Sequence, residues 1–306
     1  MQLDFDLHKK KINKRRFYFK EEIKSQILLK DCVSFLKNTE EKFNLIIADP
    51  PYNIGKDFGN NKDNMSLKKY IEWSKEWINL SLDKLTENGI IYIYGFPEIL
   101  SHIAVNFPIQ KQKWLVWHYT NKTCPTSKFW QRSHESILCL WNGKRPDLEI
   151  DQIRVPYGED YKKQIGKKRK NTQGRFGNKE TIYKGHKNGT LPRDVIKVSA
   201  LAGGKGNVER SSIKHPTQKP FELTKILISS KINGKNNRIY IPFCGSGSEC
   251  MIAKAMGVKF VSTDINEEYI MGAKKWLKDS DFLKKIKNTI SIERVPQAIS
   301  CFKVQG

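Results

Sequence analysis

Apolar residues fall along the chain in short blocks set off by polar, glycine- and proline-marked turns, and the spacing within each block predicts the element it forms. Leu45-Ile46-Ile47-Ala48 is apolar without a break, the pattern of a parallel strand buried on both faces, and it runs into Asp49-Pro50-Pro51-Tyr52. Residues 26–31 predict a shorter strand ending at Asp31, followed by a helix through Cys32, Val33, Phe35 and Leu36. Helical spacing returns at Leu67, Tyr70, Ile71, Trp77, Ile78, Leu82 and Leu85, with Ser66 as cap and Asn88-Gly89 as stop. Strands are predicted over residues 90–94, 114–117 and 136–141. Further on, Pro220 opens a helix through Phe221, Leu223, Ile226, Leu227 and Ile228, because a proline at the first helical position gives up an amide hydrogen that has no helical partner there. Ile239-Tyr240-Ile241 reads as a strand, residues 248–256 as a helix stopped by Gly257, and Lys259-Phe260-Val261-Ser262-Thr263-Asp264 as one more short strand. Strands and helices alternating in this way predict an α/β fold around a parallel sheet.

Three stretches break the pattern. Residues 1–25 are polar and basic around Phe17-Tyr18-Phe19 and stand apart as an N-terminal arm. Residues 122–130 mix cations with Phe129 and Trp130 between two predicted strands. That mixture suits a loop reaching an unstacked nucleotide, with Lys122 and Lys128 as contacts, or equally a solvated loop whose aromatics fill the rim of the core. Residues 158–193 carry eleven Lys and Arg against three Asp and Glu with almost no apolar periodicity, so they read as a mobile cationic lobe or a solvated charge run. On the first reading Lys162, Lys163, Lys167, Lys168, Arg169, Lys170 and Arg175 supply the salt-sensitive phosphate contacts of nucleic-acid binding, while arginines or asparagines read base edges. Gly203-Gly204-Lys205-Gly206-Asn207 beyond the lobe predicts a hinge.

Composition sharpens this. Fifty-five Lys and Arg against thirty-two Asp and Glu give +23, a surplus that attracts polyanions, with general lysine bias contributing. At 306 residues the chain can bury one α/β core with an appended lobe. The six cysteines, Cys32, Cys124, Cys139, Cys244, Cys250 and Cys301, form no Cys-x-x-Cys pair, which predicts free thiols in a reducing cytosol, with no metal site and no disulfides. Residues 1–20 lack the apolar centre of a signal peptide and no eighteen-residue apolar segment occurs, so a soluble cytoplasmic protein without membrane contact is expected.

The chemistry concentrates at two places. Asp49 stands at the carboxyl end of a buried strand, where ligands of open α/β sheets collect. The prolines after it fix φ and remove two donors, so their carbonyls stay free to accept, and Tyr52 adds an aromatic face. A planar base with an exocyclic amine could be held by Asp49 and a prolyl carbonyl while lying on Tyr52. The second place is Ile-Pro-Phe-Cys-Gly-Ser-Gly, residues 241–247, a strand running into a glycine turn that opens a helix. Asp264 follows Gly247 by seventeen residues, at the spacing of an acid that takes ribose hydroxyls. This fits neither the three-glycine dinucleotide pattern nor the lysine-bearing phosphate loop.

Together these motifs resemble the amino-methyltransferases of DNA, and their order, with the catalytic segment before the cofactor loop, resembles the circularly permuted beta class. His215-Pro216-Thr217-Gln218-Lys219-Pro220 is a further signature of that class. The resemblance implies a Rossmann-like S-adenosylmethionine-dependent methyltransferase sheet with an inserted basic target-recognition region. It assigns residues 26–143 to the catalytic half, 144–210 to target recognition and 211–276 to the cofactor half, leaving 1–25 and a C-terminal extension, 277–306, outside. It implies Asp49, Pro50, Pro51 and Tyr52 as catalytic residues. It implies Asp31, Thr217, Gln218, Lys219, Phe243, Gly245, Gly247 and Asp264 as cofactor-binding residues, although Asp31 is as readily a helix cap. His134 and Glu135 also recur in the class pattern, with no chemistry attached to them here. The implied activity is site-specific methylation of adenine N6 in double-stranded DNA, with base flipping, because Asp49 stands where cytosine-N4 enzymes more often carry serine. The alternatives are a cytosine-N4 enzyme and a non-catalytic DNA-binding regulator. A bacterial, nucleoid-associated setting, a homodimer and a cognate restriction endonuclease are implied by the resemblance alone.

Overall fold

A computed structural model of the chain describes residues 25–55, 63–119, 121, 128–170, 180–182, 184–201, 209, 217–234 and 237–292. Its elements in chain order are β1 (Gln26–Leu29), α1 (Cys32–Asn38), β2 (Phe43–Ala48), α2 (Leu67–Asp83), β3 (Leu85–Gly95), α3 (Pro97–Ala104), β4 (Gln112–His118), β5 (His134–Leu140), α4 (Glu159–Lys162), β6 (Lys168–Lys170), β7 (Glu180–Ile182), β8 (Val195–Lys197), α5 (Phe221–Ser229), β9 (Arg238–Ile241), α6 (Ser248–Ala255), β10 (Lys259–Asp264), α7 (Glu267–Leu277) and α8 (Ser280–Ile292). Eight strands make one sheet in the order β1-β10-β9-β2-β3-β5-β4-β8. All neighbours from β1 to β3 are parallel, β5 is antiparallel to both β3 and β4, and β8 pairs parallel with β4.

The uninterrupted apolar run of β2 follows from its place. It lies mid-sheet between β9 and β3, so both faces of the strand are covered. Leu45 and Ile47 join the core under α5, α6 and α7, while Ile46 and Ala48 join a second core under α1, α2 and α3. Burying each of Leu45, Ile46 and Ile47 contributes about 1.5–3 kcal/mol, which fixes the register that puts Asp49 at the strand tip. The pairs Leu45↔Ile239 and Ile46↔Tyr240 bring chain segments almost two hundred residues apart side by side, as the permuted order predicts.

One expectation changes. The helix read through Leu85 to Asn88-Gly89 ends at Asp83, and Leu85 instead begins β3. The register to β2 slips between Phe43↔Leu85 and Leu45↔Ile90, so Gly89 serves a bulge rather than a helix stop. A Cβ on Gly89 would lie 2.9 Å from the Leu85 Cβ and 3.0 Å from the Phe43 carbonyl oxygen, too close for any side chain. Within the basic stretch 158–193, β6 and β7 form their own antiparallel ribbon, and β8, just beyond it, extends the main sheet. The C-terminal extension begins as α8, whose Phe282 meets Trp276 and Phe221 at ring centroid distances of 5.5 and 6.1 Å. Residues 1–24, the hinge 203–207, Lys122, Arg175, His215 and Pro216 lie outside the described residues.

Candidate active site

β9 leads through α6 to β10 on one side of the sheet centre, whereas β2 leads through α2 to β3 on the other. The chain therefore diverges between β9 and β2, the point at which open α/β sheets leave a crevice beyond their carboxyl ends. A cavity of about 300 Å³ sits there. Asp31, Asp49, Pro50, Pro51, Thr217, Gln218, Phe243, Gly245 and Asp264 line it, while Tyr52, Lys219 and Gly247 do not.

On the cofactor side, Gly245 and Gly247 take φ of +48° and +82°, left-handed conformations that favour glycine. Gly247 caps α6, and a Cβ there would meet the Ala273 Cβ at 2.8 Å, so this glycine permits a close packing rather than touching a ligand. The Gly245 amide donates to Asp264 Oδ2 at 2.8 Å and the Asn266 amide to Oδ1 at 2.9 Å. These bonds fix the acid at the cavity wall, while burial pushes its carboxyl above the usual carboxylate range. Asp31 caps α1 by accepting from the Ser34 amide at 2.8 Å, and it also lines the cavity. Cys32, Cys139, Cys244 and Cys250 are free and buried, with Cys244 and Cys250 sulfurs 3.9 Å apart, whereas Cys124 and Cys301 lie outside the described residues.

On the catalytic side stands Lys219. Read as a cofactor residue, it lies behind Asp49, 2 % exposed, with Nζ 2.7 Å from both carboxylate oxygens and 3.2 Å from the Thr217 carbonyl. Glu135 stands 3.8 Å from the same ammonium. Burial works against the Lys219 charge, but Asp49 and Glu135 outweigh it and hold its pKa above the ordinary lysine value. The Tyr52 hydroxyl donates to Glu135 at 3.0 Å, and its ring has Phe96 edge-on at 5.1 Å and the Lys219 ammonium 5.2 Å from its centroid. Tyr52 is thus a buried part of this network, 5 % exposed, rather than an open stacking face. Two carboxylates share one ammonium, which leaves an excess negative charge beside the cavity.

The loop after Tyr52 is pinned by Asp63, which accepts from the amides of Asn53 and Ile54, and by the Tyr70 hydroxyl, which donates to the Pro51 carbonyl at 2.6 Å. Asp63, Glu135 and Glu249 carried no assignment in the sequence. Only Glu135 had left a signal there, beside His134 in the class pattern.

The residues read as DNA contacts are spread over the surface. Lys128, Lys162, Lys163, Lys167 and Lys168 are exposed, and Arg169 and Lys170 lie on β6. Lys162 and Lys163 pair with Glu159 and Asp160 one helical turn earlier, which lowers their net positive charge. Phe129 and Trp130 are 79 % and 87 % exposed, so they do not fill the core rim. A groove of about 760 Å³ opens at the β8 edge of the sheet, and its lining includes Lys184, Arg193, Lys197, Tyr157 and Tyr161 and, among the described residues, no acid.

A family model described as DNA methylase matches residues 43–275, spanning both halves of the site and the region between them. The chain belongs to the N6/N4 DNA methylase family. Type II methyltransferase M.HpaI from Haemophilus parainfluenzae is 30% identical over 84% of this chain and 75% of its own length. DNA adenine methyltransferase YhdJ from Escherichia coli (strain K12) is 28% identical over 80% of each chain. Among solved structures, the cytosine-N4-specific PvuII DNA methyltransferase superposes with a TM-score of 0.59 at 13% identity, covering 88% of this chain and 93% of that one, a likeness of fold. The methylase sheet of this chain is therefore the permuted Rossmann-like one. Among the described residues no helix is long and apolar enough to cross a membrane.

Proposed function

We propose that this DNA methylase moves the methyl group of S-adenosylmethionine to N6 of adenine at a specific site in duplex DNA, with the base turned out of the helix. The observation that carries the reading is the Asp49 carboxylate, fixed by two 2.7 Å contacts to a buried ammonium on the wall of the cavity that Asp264 and Gly245 complete. That cavity fits a cationic ribonucleoside: Asp31, Asp49, Asp264 and Glu249 line it, and a Glu249 oxygen has no hydrogen-bond partner. S-adenosylmethionine would supply an electrophilic methyl group; Asp264 would take its ribose hydroxyls and Thr217 and Gln218 would border it.

An aromatic amine is a poor nucleophile because its lone pair is delocalised into the ring. Asp49, accepting a hydrogen bond from the amine, favours localisation of that pair, and the Pro50 carbonyl offers a second acceptor, since the Pro51 carbonyl is taken by Tyr70. Turning the base out costs a few kcal/mol. A base stacked on the exposed Phe129 or Trp130 would offset part of this, at about 1–3 kcal/mol. The cytosine-N4 reading shares every step, since both amines present two hydrogens to the same acceptors. Asp49 as the first motif residue favours adenine through the family resemblance. Mass spectrometry of digested DNA after reaction with an isotopically labelled methyl donor is expected to find N6-methyladenine. N4-methylcytosine alone would move the reading to cytosine, and no labelled base in DNA from cells expressing the protein would favour the regulator. A cognate restriction endonuclease belongs to the same proposal, supported by the type II name of M.HpaI.

The same proposal lays the duplex along the carboxyl edge of the sheet. β4 and β8 run parallel to β2, so His118 and Lys197 end at the edge that carries Asp49, and four strand spacings of about 4.8 Å put the basic groove roughly 19 Å from the target base. Replacing Lys184, Arg193 and Lys197 together by glutamine is expected to lower the slope of log affinity against log salt by about 2–3, whereas replacing Lys162 and Lys163 is expected to change it by less than about 1. Fluorescence anisotropy across a salt series checks this. The opposite ranking would return the phosphate contacts to the charge run.

A further inference from the structure

Glu249 lies in the first turn of α6, lines the cavity and is 4 % exposed. Its Oε2 accepts from the Ser248 hydroxyl at 2.8 Å. Its Oε1 is sealed from solvent and has no hydrogen-bond partner. A buried acceptor left unmade is costly, and an orphaned one on a side chain that lines a cavity points to a ligand whose entry turns the carboxyl group toward it.

The surrounding charges say which ligand. Asp49 from the end of β2 repels negative charge here, Tyr94 from β3 faces Glu249 as a neutral phenol, and Lys219, ahead of α5, is already shared between Asp49 and Glu135. Asp31 and Asp264 line the same cavity from the sheet's far side. The amino end of α6 alone would favour an anion. A carboxyl group in that first turn, with Asp49 beside it, reverses the preference toward a cation. Of the two cationic groups in S-adenosylmethionine, the sulfonium has no hydrogen to donate, whereas the α-ammonium has three. We infer that the Glu249 carboxyl group receives the α-ammonium group at the amino-acid end of the cofactor, which makes Glu249 a specificity determinant of the methyl-donor site. The inference rests on the reading that S-adenosylmethionine is the cofactor.

Burial, and then the Asp49 charge, push the Glu249 carboxyl up to about 7. Only the ionised form suits an ammonium, so binding favours proton release and pulls this pKa down. Affinity is therefore highest between about pH 7 and the loss of the ligand's own ammonium proton at about pH 8, and it falls as pH drops below 7, by up to tenfold per unit, or roughly thirtyfold at pH 5.5.

Isothermal titration calorimetry of the full chain at pH 5.5 and 8, in buffers of different ionisation enthalpy, tests this with three probes. S-adenosylmethionine carries both cationic groups, S-adenosylhomocysteine carries the ammonium without the sulfonium, and 5′-methylthioadenosine carries neither. In the unaltered protein near neutral pH, proton release is expected with the first two probes and not with the third, a readout that needs no variant. Glu249→Gln is expected to weaken both amino-acid-bearing probes by about 10- to 100-fold at pH 8, to flatten their pH dependence and to leave methylthioadenosine unchanged. Equal weakening of all three would reduce Glu249 to a shaping role, and a penalty confined to S-adenosylmethionine would reassign it to the sulfonium. Unchanged affinities in a folded variant would likewise overturn the inference. Failure of the unaltered protein to bind S-adenosylmethionine at all would instead remove the cofactor reading, and the inference with it.

Discussion

Lys219→Met is expected to destabilise the protein by about 3–5 kcal/mol, the cost of breaking a buried ion pair by removing one partner. The methionine keeps the unbranched stem between the rings of Tyr52 and Tyr94, which stand 5.2 and 4.9 Å from the ammonium, so packing is largely preserved and the loss is electrostatic. What remains is two carboxylates, Asp49 and Glu135, no longer joined by a cation in a site where Lys219 was 2 % exposed. Like charges so placed cannot both ionise cheaply, and one of them takes a proton. The deficit relative to the unaltered protein should therefore shrink as pH falls from 8 to 5, because protonation supplies the neutralisation the lysine gave. Urea denaturation at the two pH values measures this, and an unchanged midpoint at pH 8 would mean that the pair contributes nothing. The folded variant should still bind S-adenosylmethionine within about tenfold at pH 8, since Lys219 does not line the cavity and reaches Glu249 only through its charge. A large loss of cofactor affinity would support the role that the sequence resemblance gave it.

That placement of Lys219 marks where the sequence stopped being legible. The β2 run, the glycine turn before α6 and the acid ending β10 could each be read locally, because burial on both faces demands continuous apolar residues and left-handed turns demand glycine. Their assembly followed from motif order, and the β9–β2 pairing agrees with it. Lys219 is adjacent in sequence to two residues that do line the cavity, Thr217 and Gln218, yet its partner is 170 positions away, and nothing local says that its side chain turns to Asp49. Glu249 was hidden for another reason. A glutamate in the first turn of a helix is ordinarily a solvated complement to the helix dipole, and only tertiary packing makes this one buried. The end of α2 was misread because Leu85 continues the helical spacing while pairing with Phe43 as a strand. β8 has three residues, too few to show a period, so its addition to the sheet edge was invisible beside a basic segment.

Asp49→Asn is expected to reduce methyl transfer at least about a thousandfold while cofactor binding survives, combining a lost charged acceptor with a lost proton acceptor. Asparagine is the informative substitution because alanine would strand the Lys219 ammonium, whose two shortest contacts are both to this carboxylate, and would confuse folding with chemistry. The amide keeps one oxygen for Lys219 but cannot take the proton that the methylated amine must release, and its neutral oxygen accepts a weaker hydrogen bond from that amine. A second consequence tests the geometry independently of turnover. Asp49 is the largest neighbouring charge raising Glu249, so removing it should lower the pH below which S-adenosylmethionine affinity declines. Single-turnover transfer of a labelled methyl group, read beside calorimetric binding across pH, separates the outcomes. Unimpaired transfer would take the carboxylate out of the chemistry, and a loss of binding as large as the loss of rate would move Asp49 from the target amine to the methyl donor.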